Sequence, residues 1–242
     1  MMDPAAGADA ATNAAAGLRL LRALQFGDSV FPVGGFAFSA GLETAVAERV
    51  VTDIASLGAY TRTAVEQAAR GDGVGLIWAH RAAAADDLAE LERIDAEIYA
   101  RKLSSETRTM SVRMGKKFTE LSGAILDEPM AESWRSRIAN GATPGCYPVA
   151  LAINFAIQGL TARDAFVVHQ YGVAAMILSA ALRLMRIGHV DTQQLLFTVN
   201  ASVDTDFDRA ATTALSQMAG FAPMTEILAA AHVKANVRLF MN

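Results

Sequence analysis

The stretch AFVVHQYGVAAMILSAAL, residues 165–182, contains no charged residue, and its reading decides the fold. A run of this length is long enough to cross a bilayer. His169 and Gln170 interrupt it, however, and such groups are costly against lipid but readily satisfied inside a packed protein. We read it as the buried central helix of a helical protein. Outward from it, apolar residues recur at three- and four-residue spacing over 18–26, 38–50, 54–70, 74–84, 88–102, 104–126, 130–139, 148–159, 162–187, 192–200, 207–219 and 224–236. No stretch shows sustained alternation with β-branched enrichment, so no strand is expected. The expected fold is all-α: a single-domain bundle of about ten or more helices with no sheet. Asp53, Asp86 or Asp87, Thr161 and Asp191 stand where N-caps belong, and Gly71, Gly141 and Gly159 where helices stop. Residues 141–148, with Pro144, Gly145 and Cys146, divide the chain, but neither side has a composition of its own. One domain over 17–242 is expected, behind a disordered, Ala-rich leader over 1–16.

The bulk composition narrows the function classes. Hydrophobic residues make up 52% of the 242 and charged residues 19%, which predicts a folded surface that keeps apolar patches for partners. A net charge of −4 and a pI near 5.6 give no long-range attraction to phosphate, so no nucleic-acid role is expected. Only Lys102, Lys116, Lys117 and Lys234 among the 21 basic residues are lysine; the rest are arginine, whose planar, weakly hydrated head suits interfaces. Cys146 is the single cysteine, which excludes an intrachain disulfide and fits a reducing cytosol. It follows a Pro-Gly turn and is expected to be exposed. The leader carries Asp3 and Asp9 and lacks a basic start and a bulky apolar run, so it does not read as a signal peptide.

A second stretch, FPVGGFAFSAGLE over 31–43, combines an obligatory bend with an apolar surface. Pro32 fixes its own φ and pushes Phe31 out of the helical region, while Gly34 and Gly35 are expected to take positive φ. Phe38, Leu42 and Ala45 then recur at helical spacing beside the small residues Ala37, Ala40 and Gly41, which would admit a closely packed neighbour.

This string resembles the N-terminal signature of the urease accessory protein F family (UreF), in which a Pro-Val-Gly-Gly turn leads through an aromatic and a Ser to Gly-Leu-Glu. Three further blocks are similar to the same family in the same order. They are Ser105-Glu106-Thr107-Arg108 with Arg113-Met114-Gly115; Ser179-Ala180-Ala181-Leu182-Arg183-Leu184 with Gly188-His189 and Thr192-Gln193-Gln194-Leu195-Leu196; and Pro223, His232 and Arg238-Leu239-Phe240. The chain departs from the pattern at His189, where the family usually has Gln, and at Val233, where a Glu commonly follows the late His.

Catalytic and metal motifs are missing from the sequence. Gly34, Gly35 and Gly41 do not form a P-loop, because Leu42 and Glu43 stand where Lys and Ser or Thr would hold phosphate and magnesium. Asp204, Asp206 and Asp208 imitate a calcium loop, but Arg209 and Leu215 replace its turn Gly and bidentate Glu, so they read as acids at a helix N-terminus. Cys146, His80, His169, His189 and His232 are the whole thiol and imidazole inventory, and no two lie within four residues of each other. Between 101 and 117, Arg101, Lys102, Arg108, Arg113, Lys116 and Lys117 form a basic strip that could receive an acidic partner.

What the resemblance implies is a cytoplasmic, non-enzymatic accessory protein of nickel insertion into urease. Such a protein binds the D-type accessory protein (UreD, also called UreH), recruits the GTP-hydrolysing UreG, and acts on apo-urease. The chain alone would hold no cofactor or metal; nickel would be handled by the complex. A homodimer, with no nucleic acid and no membrane, is expected. Glu43, Arg183 and Arg238 fall in three separate blocks, and together with Leu239 and Phe240 they form the expected partner surface, with Pro32, Gly34 and Gly35 as its structural turn. The apolar tail is expected to dock only when UreD binds, completing the site for UreG. Within the family reading, Arg238 or Arg183 could instead lie near the phosphates of bound GTP. The alternative is an all-α ligand-binding protein or regulator with a dispersed pocket around His169, and a DNA-binding regulator is a third reading, resting on Arg19, Arg22 and Arg49.

Overall fold

The structure, a computed structural model, describes residues 4–220, 222–223, 227–228 and 239–241, with side chains from residue 16 onward. Every regular element among them is helical: α1 (Pro4–Gly27), α2 (Leu42–Ala47), α3 (Ile54–Arg70), α4 (Asp72–Ala84), α5 (Leu88–Arg101), α6 (Ser105–Leu126), α7 (Pro129–Ala139), α8 (Tyr147–Ile157), α9 (Ala162–Leu184), α10 (His189–Val199) and α11 (Val203–Thr212). The all-α class is therefore observed. Nine of these helices reach eleven residues, slightly fewer long helices than the ten or more expected.

Local chemistry explains many of the boundaries. Asp53 accepts the Ser56 N–H at 2.8 Å while Ser56 returns its hydroxyl oxygen to the Asp53 N–H, closing a capping box at α3. Asp87 caps α5 through the Glu90 N–H at 2.9 Å, and Thr161 and Asp164 cap α9 reciprocally. Asp191 stands three residues after the cap Gly188 rather than at the cap, and accepts the Gly188 N–H at 2.8 Å. The helix expected over 38–50 begins only at Leu42, because Ala40 and Gly41 both take positive φ, at 53° and 80°. The Tyr60 hydroxyl, donating to the Ala40 carbonyl at 2.6 Å, supports this bend. Helix α11 starts earlier than expected and stops at Thr212, with a single 3₁₀ turn, Leu215–Gln217, beyond it. The helix expected over 224–236 lies mostly outside the described residues. At the other end, α1 continues back to Pro4 through the segment expected as a disordered leader; alanine, its main component, is the strongest helix former.

The interior is organised around α4 and α8. Every residue of α8 from Pro148 to Phe155 is buried, as a helix apolar on all sides must be. Phe118, Trp134, Phe155 and Phe166 fill the space between α6, α7, α8 and α9, and each contributes about 1.5–3 kcal/mol of burial. A second apolar cluster joins Leu42, Leu57, Val65, Ile177, Leu178 and Leu196 with Phe240 from the chain end. Helix α9 crosses both clusters, with Phe166 in the first and Ile177 in the second. It is long and apolar enough to span a membrane, but half of its apolar window is buried in the protein, and His169 and Gln170 lie on that buried side. Helix α6 approaches the loop before α8 so closely that a Cβ on Gly115 would lie 2.1 Å from the Gly145 carbonyl oxygen. Only glycine fits there.

Candidate partner-binding site

The turn over residues 28–37, upstream of α2, is built from backbone bonds, one carboxylate acceptor and one left-handed residue. The Asp28 carboxylate accepts the Val30 N–H at 2.9 Å, the Phe31 N–H reaches the Asp28 carbonyl at 3.0 Å, and Gly34 takes φ 82° to open a single 3₁₀ turn, Gly35–Ala37. Gly35 does not share this conformation: contrary to expectation, its φ is not positive. Phe38 then turns inward and is buried, whereas Phe36 is 71% exposed.

The chain end is seated on this turn. The Glu43 carboxylate, in the first turn of α2, accepts the N–H groups of Leu239 at 2.8 Å and Phe240 at 3.1 Å, and the Met241 N–H donates to the Ala37 carbonyl at 2.8 Å. A charged acceptor makes such bonds stronger than neutral ones. Arg183, in the last turn of α9, donates to the Phe36 carbonyl at 2.8 Å. Its guanidinium lies 5.0 Å from the Phe36 ring centre and 4.0 Å from that of Phe240, so one cation bridges turn and tail through two aromatic faces. Desolvation there lowers the Arg183 pKa, yet an arginine stays cationic across physiological pH.

The structure thus brings Glu43, Arg183, Leu239 and Phe240 together from three distant parts of the sequence. Arg238 lies outside the described residues. Pro32 is an exposed member of the turn. Contrary to the expectation that the tail docks only when UreD binds, Phe240 is only 4% exposed and belongs to the second apolar cluster. Arg183 is committed to a carbonyl and two rings, which removes it as a free phosphate-binding finger in this arrangement. What faces outward is an apolar rim of Phe36, Leu239 and Met241, and Arg113 reaches the Met241 sulfur at 3.4 Å. Phe36 stood in the quoted motif, but periodicity alone does not reveal that it points away from the core.

The other candidates resolve into internal contacts. In the basic strip, Lys102 pairs with Asp72 at 2.7 Å, Arg101 with Glu97, and Lys117 with Glu120 at 2.8 Å, while Arg108 donates to the Lys102 carbonyl at 2.9 Å. Arg163 bridges Asp204 and Asp208 at 2.7 and 2.6 Å, and the buried Asp206 accepts the Ser202 hydroxyl at 2.8 Å. Among the described residues no three of His, Cys, Asp and Glu gather in a way that would hold a metal. Cys146 is fully buried rather than exposed, and burial, with Asp95 nearby, pushes its thiol pKa up, which leaves it unreactive. His80 meets the Leu160 carbonyl at 2.8 Å, and burial lowers its pKa.

A cavity of about 140 Å³ lies beside this site, between the turn, α6 and α9, and His169 forms part of its wall. His169 stacks on Tyr147 with ring centres 6.2 Å apart and has Asp72 at 4.0 Å; burial lowers its pKa to about 4, so the ring is neutral at physiological pH. The preformed pocket that a ligand-binding reading requires is therefore present.

The geometry defines an all-α protein whose charged groups hold a turn and the chain end together beneath an apolar rim. The UreF family model matches residues 51–200, and the chain belongs to that family of urease accessory proteins. It is 49% identical over 223 residues to the urease accessory protein UreF 2 of Brucella canis, covering 92% of both chains, and equally to that of Brucella abortus. To the urease accessory protein UreF of Yersinia pestis it is 48% identical, covering 92% of this chain and 98% of the relative. The model match takes in Arg183, while the turn and the tail fall outside it.

Proposed function

We infer that this chain is a non-catalytic scaffold in the maturation of urease, acting in the cytoplasm as a homodimer that binds UreD (UreH) and recruits UreG to apo-urease for nickel insertion. The observation that carries this reading is the clamped tail. Glu43 and Arg183 fix a short chain end on the turn, and Phe36, Leu239 and Met241 are left outward beside it. A rigid apolar patch rimmed by charge is the form expected of a docking surface, since ordering costs are met before the partner arrives. Nucleotide chemistry belongs to UreG in this scheme, in keeping with a sequence that offers no P-loop.

Affinity-tagged chain expressed with the urease gene products should recover UreD, UreG and urease subunits. Glu43→Gln combined with Arg183→Ala should keep the helical circular dichroism spectrum and lose most of the UreG. Full recovery of UreG by the double variant, or capture of none of these proteins by the parent, would overturn the reading.

A further inference from the structure

The cavity between the turn, α6 and α9 has features that docking of a tail does not require. Its walls are apolar and rich in sulfur: Phe31, Val33, Met110, Met114 and Met176 line it, and thioethers make favourable contacts with aromatic rings. Its volume of about 140 Å³ is close to the roughly 150 Å³ of an engineered apolar cavity that holds benzene. One wall group lacks a partner. The Ser111 hydroxyl is buried, 3% exposed, and makes no hydrogen bond among the described residues, although buried hydroxyls almost always do. Of the two carboxylates in the wall, Asp72 is neutralised by Lys102 at 2.7 and 2.8 Å, and Asp28 is exposed and accepts the Val30 N–H at 2.9 Å. Among the described residues no lysine or arginine lines the cavity, so an anionic ligand would gain no counter-ion on entry, and a cationic one would meet only carboxylates already hydrogen-bonded within the protein.

We propose that this cavity is a binding site for a small, uncharged aromatic molecule bearing one hydroxyl group, the ring seated among the methionines and the hydroxyl paired with Ser111. The site is independent of the scaffold role, and because Phe36 belongs both to the cavity wall and to the Arg183 clamp, its occupancy would be felt at the docking surface.

The test uses the full chain labelled with ¹³C at the methionine methyls, titrated with phenol and, separately, with toluene as an isosteric probe without the hydroxyl. Phenol should shift the Met110, Met114 and Met176 methyls saturably, and should bind about fivefold more tightly than toluene, the worth of one net hydrogen bond. Ser111→Ala should bring the two probes to parity. Gly172→Leu supplies the second control: Gly172 lies in the cavity wall, and a Cβ there meets nothing within 4 Å, so the longer side chain should fill the space and abolish both titrations with an unchanged melting temperature. Shifts absent up to the solubility of phenol, shifts confined to other methionines, or equal affinities for phenol and toluene in the parent chain would each overturn the proposal.

Discussion

The two adjacent glycines of the turn have different roles. At Gly34 the backbone takes φ 82°, and a Cβ would meet nothing within 4 Å, so any cost of a side chain comes from the left-handed conformation alone. At Gly35 φ is ordinary, and a Cβ would lie 3.4 Å from the Met114 methyl, a normal contact. Gly34→Ala should therefore lower the free energy of unfolding by about 1 kcal/mol and Gly34→Val by about 1–3 kcal/mol. Gly35→Ala should change it by less than about 0.5 kcal/mol. Urea titrations of the three variants check this, and equal losses at both positions would show that the turn is held by packing rather than by one dihedral angle. The sequence announced a bend through Pro32 and the glycine pair, but could not say which glycine is left-handed, because that depends on the Ala37 N–H closing onto the Gly34 carbonyl at 3.1 Å. Cys146 shows the same limit. Its Pro-Gly neighbourhood reads as a surface loop, yet tertiary packing makes that loop the buried floor under α6.

Helices that carry a cap in their own sequence were legible nearly to the residue, as α3, α5 and α9 show. Boundaries set by distant partners were not. The loop before α8 is held by Asp95 of α5, whose carboxylate accepts the Thr143 hydroxyl at 2.5 Å and the N–H groups of Gly145 and Cys146 at 2.6 and 2.8 Å. Asp95 is fully buried, and in the sequence it is one more polar residue of an amphipathic helix. Its partners lie about fifty positions away, beyond any local pattern. Asp95→Asn should lower stability by about 2–4 kcal/mol, because an amide has one acceptor oxygen and turns an NH₂ group toward backbone donors. Asp95→Glu should do no better, since the longer arm does not fit a loop pressed against Gly115. Thermal melts of the two variants decide it; a loss below about 0.5 kcal/mol for the asparagine form would mean that Gly115 packing, and not the carboxylate, positions α8.

At the scale of the whole molecule, an all-α class and four separated blocks were readable from one sequence, whereas the meeting of those blocks was not. Glu43, Arg183 and Phe240 are joined by the path of α9 across both apolar clusters, and a periodic pattern carries no record of which helix ends meet. Their meeting changes what the tail is expected to do. Phe240 is part of the core, held by Arg183 and by Glu43, so removing it should act first on stability. Phe240→Ala should cost about 3 kcal/mol, in the range of buried aromatic truncations, and lower the melting temperature by several degrees. Leu239 is the complementary probe: it is 69% exposed, and its link to Glu43 is through the backbone, so Leu239→Ser should leave unfolding within about 0.5 kcal/mol of the parent. If the rim is the docking surface, Leu239→Ser should nevertheless weaken capture of UreD or UreG at least tenfold in a pull-down against a partner titration. Unaltered capture by Leu239→Ser, together with loss of capture by Phe240→Ala only in proportion to its unfolded fraction, would reduce the tail to a structural terminus and move the partner surface elsewhere.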